Sequence, residues 1–372
     1  MATVITFLLY MAIVILMTEI TSYAMNVRKK FTSNILIIAV IVISSAVVAF
    51  RGITGTDSAM YITLYEDGAN SIFRWNQIEN GFLLFMKLVR NLGGSYQLFF
   101  FLVSSLTTGF ILMTIAHEKK IINVRIAAVI YFTDLYFNSF NIMRQSLAIS
   151  ICLYALIIFF DRKKITGILL ILLAAQIHYS AYVCLLVILG DFLFNNRNTR
   201  TNILMMFTLF IGILFLISHR LLLGNIVQLV TGNQYYAGYI TRDDYTGGSF
   251  LIYYLKIFPI LSIPFLYLRY YKNHAYMNVL FVLMICGYIM SSLGAVLATQ
   301  VGRIGMYFTT LSIVMLGFCC NNDIYIGNKI VVKKDIVSFC VYSFYILMFI
   351  INVFVSKYYE IVPYRPFTEF FL

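Results

Sequence analysis

The chain has 372 residues, of which 61% are hydrophobic and 11% charged, with a mean hydropathy of +0.88. Soluble domains carry about 25% charged residues, so a soluble enzyme, a nucleic-acid-binding module and a disordered scaffold are excluded and an integral membrane protein remains. The net charge of +12 would suggest nucleic acid in a soluble protein; in a membrane chain it points to loop charges that set topology.

Apolar runs bounded by charged or turn residues fall near 2–24, 33–50, 96–115, 121–137, 143–160, 165–178, 179–194, 201–218, 250–268, 277–298, 304–320 and 336–355. A span takes about 20 residues, so the expectation is an all-α polytopic membrane protein of about twelve helices, with 1–372 as a single transmembrane domain. Ser22-Tyr23-Ala24 loosely resembles a signal-peptidase site, but the basic residues Arg28-Lys29-Lys30 follow the apolar run. A secretory signal has the opposite charge order. The first run therefore reads as a retained span with its N-terminus outside. The loops on the inner side then carry Arg28-Lys29-Lys30, Lys119-Lys120, Arg162-Lys163-Lys164, Arg197 with Arg200, Arg269 with Lys272, and Lys329 with Lys333-Lys334. Every inner loop is basic, as the positive-inside rule requires, and both termini lie outside. The runs 165–178 and 179–194 are short and tightly joined; losing the pair would leave the rest of the orientation unchanged.

The long segments are all outer: 51–95, 219–249 and the tail 356–372. Function concentrates in such loops, which makes the outer face of a bacterial inner membrane, facing the periplasm, the expected working face. Within 51–95, Ile78, Phe82, Phe85, Met86 and Val89 recur at helical spacing. They predict an amphipathic helix, either lying in the interface or packed on the bundle as a lid, and ended by Gly93-Gly94.

Charges near lipid are costly and invite a functional reading. Arg51 follows the second run directly and opens Arg51-Gly52-Ile53-Thr54-Gly55-Thr56-Asp57, with Tyr61 beyond. Asp57 reads as a helix cap or a general base, and Arg51 as an interface anchor or an anion binder. Glu79 opens the amphipathic helix, either as a carboxylate favoured by the helix dipole or as a base. Asn138, Asn141, Arg144 and Gln145 cluster at the outer end of the fourth run, and Arg144 and Gln145 enter the fifth. Arg144 calls for an anionic partner, either Asp134 or an anionic lipid ligand. His178, in an otherwise apolar run, reads as a structural histidine, a base, or a donor to phosphate or sugar. Glu19 reads as structural. Arg303 opens the eleventh run, with Tyr307 one turn on. Arg51, Arg144 and Arg303 are expected at one depth on the outer side, where guanidinium forks suit phosphate oxygens. Outer tyrosines suit sugar stacking, or the ordinary interfacial belt. The six cysteines lie in or beside apolar runs without a paired C-x-x-C framework and read as apolar packers. Neither a metal-ligand motif nor a phosphate-binding P-loop is present, so no cofactor is expected.

Arg51 through Tyr61, Asn141-x-x-Arg144-Gln145, His178-x-Ser180, Gly302-Arg303-x-x-x-Tyr307-Phe308 and the tail Val362-Pro363-Tyr364-Arg365 together resemble the EpsG/Wzy group of polysaccharide polymerases. The resemblance implies a GT-C-like membrane glycosyltransferase without an essential metal, acting on undecaprenyl-diphosphate-linked oligosaccharide units of O-antigen or capsule type. Together with the residue reading above, the expected substrate-binding residues are Arg51, Tyr61, Asn141, Arg144, Gln145, Arg303 and Tyr307, and the candidates for the base are Asp57, His178 and Glu79. Membrane lipid is the expected partner besides the lipid-linked oligosaccharide, a chain-length regulator and a flippase are left open as further partners, and nucleic acid is not expected. The alternatives are a glycosyltransferase using a polyprenyl-phosphate sugar, a lipid-linked oligosaccharide flippase and a membrane acyltransferase.

Overall fold

The computed structural model describes residues 2–68, 78–193, 250–267, 270, 275–296, 299–326, 329–357 and 360–367. The helices are α1 Ala2–Asn26, α2 Lys30–Ala49, α3 Ser58–Asp67, α4 Asn80–Asn91, α5 Tyr96–Glu118, α6 Val124–Thr133, α7 Leu135–Asn138, α8 Met143–Phe160 and α9 Lys164–Ile177. A 3-10 turn, Tyr179–Tyr182, leads into α10 Val183–Leu193; then come α11 Phe250–Phe265, α12 Ala275–Val296, α13 Thr299–Thr309, α14 Ser312–Cys319 and α15 Lys334–Ile350, which continues as a π turn to Val355. A small antiparallel hairpin pairs β1 Ile324–Ile326 with β2 Lys329–Val332.

Six helical stretches are long and apolar enough to cross a membrane: Ala2–Asn26, Lys30–Ala49, Tyr96–Glu118, Met143–Phe160, Val301–Cys319 and Lys334–Val355. Lys164–Ile177, Tyr179–Leu189 and Tyr276–Ser292 are shorter apolar helices. The chain is thus a polytopic helical membrane protein, and the described residues carry six full-length candidate spans against the dozen expected. Part of the difference is local. The run 121–137 is broken at Asp134, whose backbone (φ −119°, ψ −85°) leaves the helical region and separates α6 from α7. The run at 201–218 and the segment 219–249, expected as an outer loop, lie outside the described residues.

The bundle has two recognisable ends, and the side chains that join helices there identify them. At one end Lys119 Nζ donates to Met25 O (3.0 Å), Arg125 pairs with Glu19 (2.9 Å), and His117 lies 3.3 Å from Asp161. There also Tyr276 donates to Glu118 (2.7 Å) and the Asn123 amide donates to Gly317 O (2.7 Å). The basic loops 28–30, 119–120 and 162–164 belong to this end. At the other end, the C-terminus of α2 meets the tail at 360–367, and the N-termini of α3, α4, α5, α8 and α13 gather with the C-terminus of α9. Helices that alternate direction through the bundle place every odd connection at one end and every even one at the other.

Two packing features set the geometry of that second end. Helix α8 is the enclosed one: among Met143–Phe160 only Arg144, Tyr154 and Phe160 fall short of burial. Helix α12 backs onto α13 through glycines, and a Cβ on Gly305 would stand 2.7 Å from Gly287 O. Without an aqueous driving force, helices in lipid associate by such close approach. The amphipathic helix α4 buries Phe82, Leu83, Met86 and Val89 and packs on the bundle, with Phe82 and Phe85 against Phe99 at 5.3 and 5.4 Å between ring centroids. It ends where Gly93 turns to φ +77° and the Gly94 amide bonds back to Val89 O.

Candidate active site

Arg144 is the one long polar side chain that buried helix α8 holds out at its N-terminus. It meets the carboxylate of Glu79, with Nη1 2.5 Å from Oε2. Asp134, an internal partner that the sequence offered for Arg144, instead accepts from Asn138 Nδ2 (3.2 Å). Glu79 occupies the N-cap position of α4, yet its side chain makes no cap hydrogen bond. Its second oxygen accepts from the Tyr179 amide (3.1 Å) and lies 3.9 Å from His178 Nδ1. Burial alone would raise the Glu79 carboxyl pKa; Arg144, then His178 and the backbone amides, outweigh it and hold the group below its ordinary value. Arg144 Nε also donates to the Tyr61 hydroxyl at 3.4 Å.

The approach of Glu79 to His178 depends on Gly81. A Cβ at Gly81 would stand 2.6 Å from both Gln176 Cβ and Gln176 O, so the start of α4 lies directly on the last turn of α9. Helix α9 ends at Ile177 because His178 is extended (φ −152°, ψ 119°). That conformation turns the imidazole back over the 3-10 turn, where the Ser180 amide donates to Nδ1 (3.3 Å). An Nδ1 that accepts an amide proton places the ring proton on Nε2. Ser180 Oγ lies 2.7 Å from Nδ1 and 3.0 Å from the Tyr307 hydroxyl, so one serine joins His178 to α13.

Helix α13 is tied to α8 by Gln145, whose Nε2 donates to Arg303 O (2.7 Å), while Gln145 Oε1 is buried without a hydrogen-bond partner among the described residues. The Arg303 side chain is exposed, and both its charge and that of Arg144 act on His178. Asn141, fully buried, accepts from the Asp57 amide and from Thr56 Oγ1, each at 3.3 Å. This pins the loop before α3 to the loop before α8. Gly55 is required there twice over: its φ is +92°, and a Cβ would collide with the Asn141 amide. Asp57 takes the N-cap position of α3 without a cap hydrogen bond, and its carboxylate accepts from Thr56 (2.9 Å).

The structure therefore brings Glu79, Arg144, His178, Gln145, Arg303, Tyr307 and Tyr61 into one cluster from five separate segments. Asn141 and Asp57 stand at its edge. Arg51 is placed differently. It is fully enclosed, with its guanidinium carbon 4.7 Å from the Phe140 ring centroid and 5.2 Å from that of Phe100. The residues that sequence reasoning passed over are the Tyr179 amide, Gly81 and, as an individual contributor, Ser180. A backbone amide has no signature in sequence; the serine stands in the His178-x-Ser180 pair, and the glycine lies two residues from Glu79. Among the described residues no three metal-ligating side chains come together.

Comparison with known proteins gives one result. A family model described as the EpsG family matches residues 34–365, nearly the whole chain. No curated protein and no solved structure matches significantly.

Proposed function

The chain belongs to the EpsG family, which includes Wzy-like polysaccharide polymerases, and we propose that it polymerises undecaprenyl-diphosphate-linked oligosaccharide units, transferring the growing glycan from its lipid carrier onto the next lipid-linked unit. One observation carries the reading beyond family membership. The Glu79–Arg144–His178 cluster, flanked by Arg303, lies at the end of the bundle opposite the basic loops. By the positive-inside rule those loops are cytoplasmic, so the cluster faces the periplasm at headgroup depth.

The chemistry follows from the charges. Arg144 and Arg303 hold the donor diphosphate and stabilise the negative charge that builds on it as it leaves. Arg144 now carries a carboxylate where a phosphate oxygen would sit. Once phosphate takes that guanidinium, Glu79 loses the partner that keeps it acidic and becomes a stronger base in a dry site. It then removes the proton of the acceptor sugar hydroxyl. The acceptor oxygen bonds to the donor anomeric carbon, and the bond from that carbon to the diphosphate oxygen breaks, its electron pair leaving with the lipid diphosphate. His178, with its proton on Nε2, donates a hydrogen bond to substrate oxygen. Asp57 is the second carboxylate within reach of an acceptor held at the Asn141 edge. Arginine charge, with no metal invoked, supplies the stabilisation in this scheme.

The test uses purified protein with lipid-linked units, alongside cells complemented with Arg144→Ala, Arg303→Ala, Glu79→Gln and His178→Ala. Polymerisation predicts ladders in vitro, and in cells a ladder collapsed to a single repeat unit at unchanged membrane levels. One-sugar shifts would instead indicate a single-sugar transferase. No covalent change in vitro, or normal chain length in all four variants, would reject the proposal.

A further inference from the structure

Arg51 is the strongest electrostatic anomaly among the described residues. Its side chain has no exposure to solvent, and Nε, Nη1 and Nη2 are all buried without a hydrogen-bond partner among the described residues. Burial lowers its pKa only to about 10, so it is charged at neutral pH. A buried charge is normally paired, and two ring faces compensate for that only in part. The phenols around it are Tyr10, Tyr136, Tyr364 and Tyr61. The first three direct their protons to the carbonyls of Ile361, Ser44 and Val47 at 2.7 to 2.9 Å. Among the described residues the cage around this cation thus supplies phenols and ring faces and no carboxylate.

The cover of this cage is the tail at 360–367, which crosses the end of α2. Gly52 N donates to Arg365 O (2.7 Å), Phe367 N to Phe50 O (3.0 Å) and Tyr364 N to Thr6 Oγ1 (2.9 Å). Thr54 latches it twice: its hydroxyl donates to Arg365 O (3.1 Å) and accepts from Arg365 N (2.9 Å). These are hydrogen bonds of one short segment, each replaceable by water once the segment lifts, whereas the ring faces of Phe100 and Phe140 belong to the bundle.

We infer that Arg51 is the receptor of a phosphate oxyanion site that the C-terminal strap closes, and that the site fills when the strap lifts. Tyr61 links it to the cluster above, since its hydroxyl accepts from Arg144 and it is one of the phenols around Arg51. A transferase with two lipid-linked substrates has a second diphosphate to hold. That assignment of the phosphate to a lipid rests on the polymerase reading; the closed anion site does not.

Hydrogen–deuterium exchange on the full chain in nanodiscs tests this, with inorganic pyrophosphate and undecaprenyl diphosphate as separate probes. Ligand is expected to speed exchange at the amides of Gly52, Tyr364, Arg365 and Phe367 by about tenfold or more. Thr54→Val should speed the same amides without ligand and tighten pyrophosphate binding several-fold, and Arg51→Gln should abolish the ligand-induced change. A response to both probes identifies phosphate itself as the ligand, and a response to the lipid alone identifies its headgroup; either supports the site. Strap amides of the wild type that respond to neither probe, or that respond equally in Arg51→Gln, overturn it. The pyrophosphate arm requires no polymerisation, so its failure and the failure of the polymerase reading are separate results.

Discussion

Replacing Gly81 by alanine tests how the cluster is assembled. The added Cβ would stand 2.6 Å from Gln176 O, against about 3.4 Å for the near edge of ordinary contact. One of the opposing atoms is a backbone carbonyl, which no rotamer change can remove. The start of α4 must therefore move away from α9 by about 0.8 Å. Overpacking of this kind costs about 1–3 kcal/mol. Glu79 lies two residues away, and its 3.1 Å bond from the Tyr179 amide stretches beyond hydrogen-bond range under such a shift. A misplacement of about 1 Å at a reacting group costs on the order of a hundredfold in rate. The expected result is a loss of 10- to 100-fold in polymer formed per minute by purified protein on lipid-linked units, with a melting temperature a few degrees lower. Gly109→Ala is the control. It too is a helical glycine, in α5, but its Cβ would meet nothing within 4 Å, so rate and melting temperature should hold. A Gly81→Ala protein with wild-type rate and melting temperature would refute the contact, and with it the placement of Glu79 on His178.

Three further outcomes are expected. Because the Glu79 carboxyl is held below its ordinary value, it contributes stability that is present above about pH 4.3 and lost as pH falls through the lower folded value. Thermal unfolding in detergent should be less acid-sensitive in Glu79→Gln/Arg144→Gln than in wild type, and equal acid slopes would contradict the ion pair. Ser180→Ala and Tyr307→Phe should each slow polymerisation by about tenfold, and the double variant should be no slower than the worse single, because both break one chain to His178; additive losses in initial rate would separate them. Gly305→Ala should push α13 from α12, given the 2.7 Å approach to Gly287 O, and weaken the tie from Gln145 to Arg303. That appears as a raised KM for lipid-linked units with kcat less affected.

Composition alone settles that this chain lives in a membrane, because 11% charged residues cannot cover a soluble surface. The apolar runs also locate most helices to within a few residues, since a helix is the only way for a single lipid-exposed strand of chain to satisfy its own backbone. Much of the cluster was legible for a similar reason: Arg144, His178, Gln145 and Arg303 stand out wherever charge and polarity are expensive. Their partners were not legible. Glu79 and Arg144 are 65 residues apart, and only the close lie of α4 on α9 at Gly81 decides that Arg144 pairs with Glu79 and leaves Asp134 to Asn138. Arg51 shows the limit most clearly. Its position after an apolar run suggests an interface anchor or an anion binder; that the tail at 360–367 crosses beside it and that two phenylalanine rings from separate segments flank its guanidinium is set by packing alone. Periodicity and charge are properties of one segment at a time; which segments share an end of the bundle is set by helix packing across the whole chain.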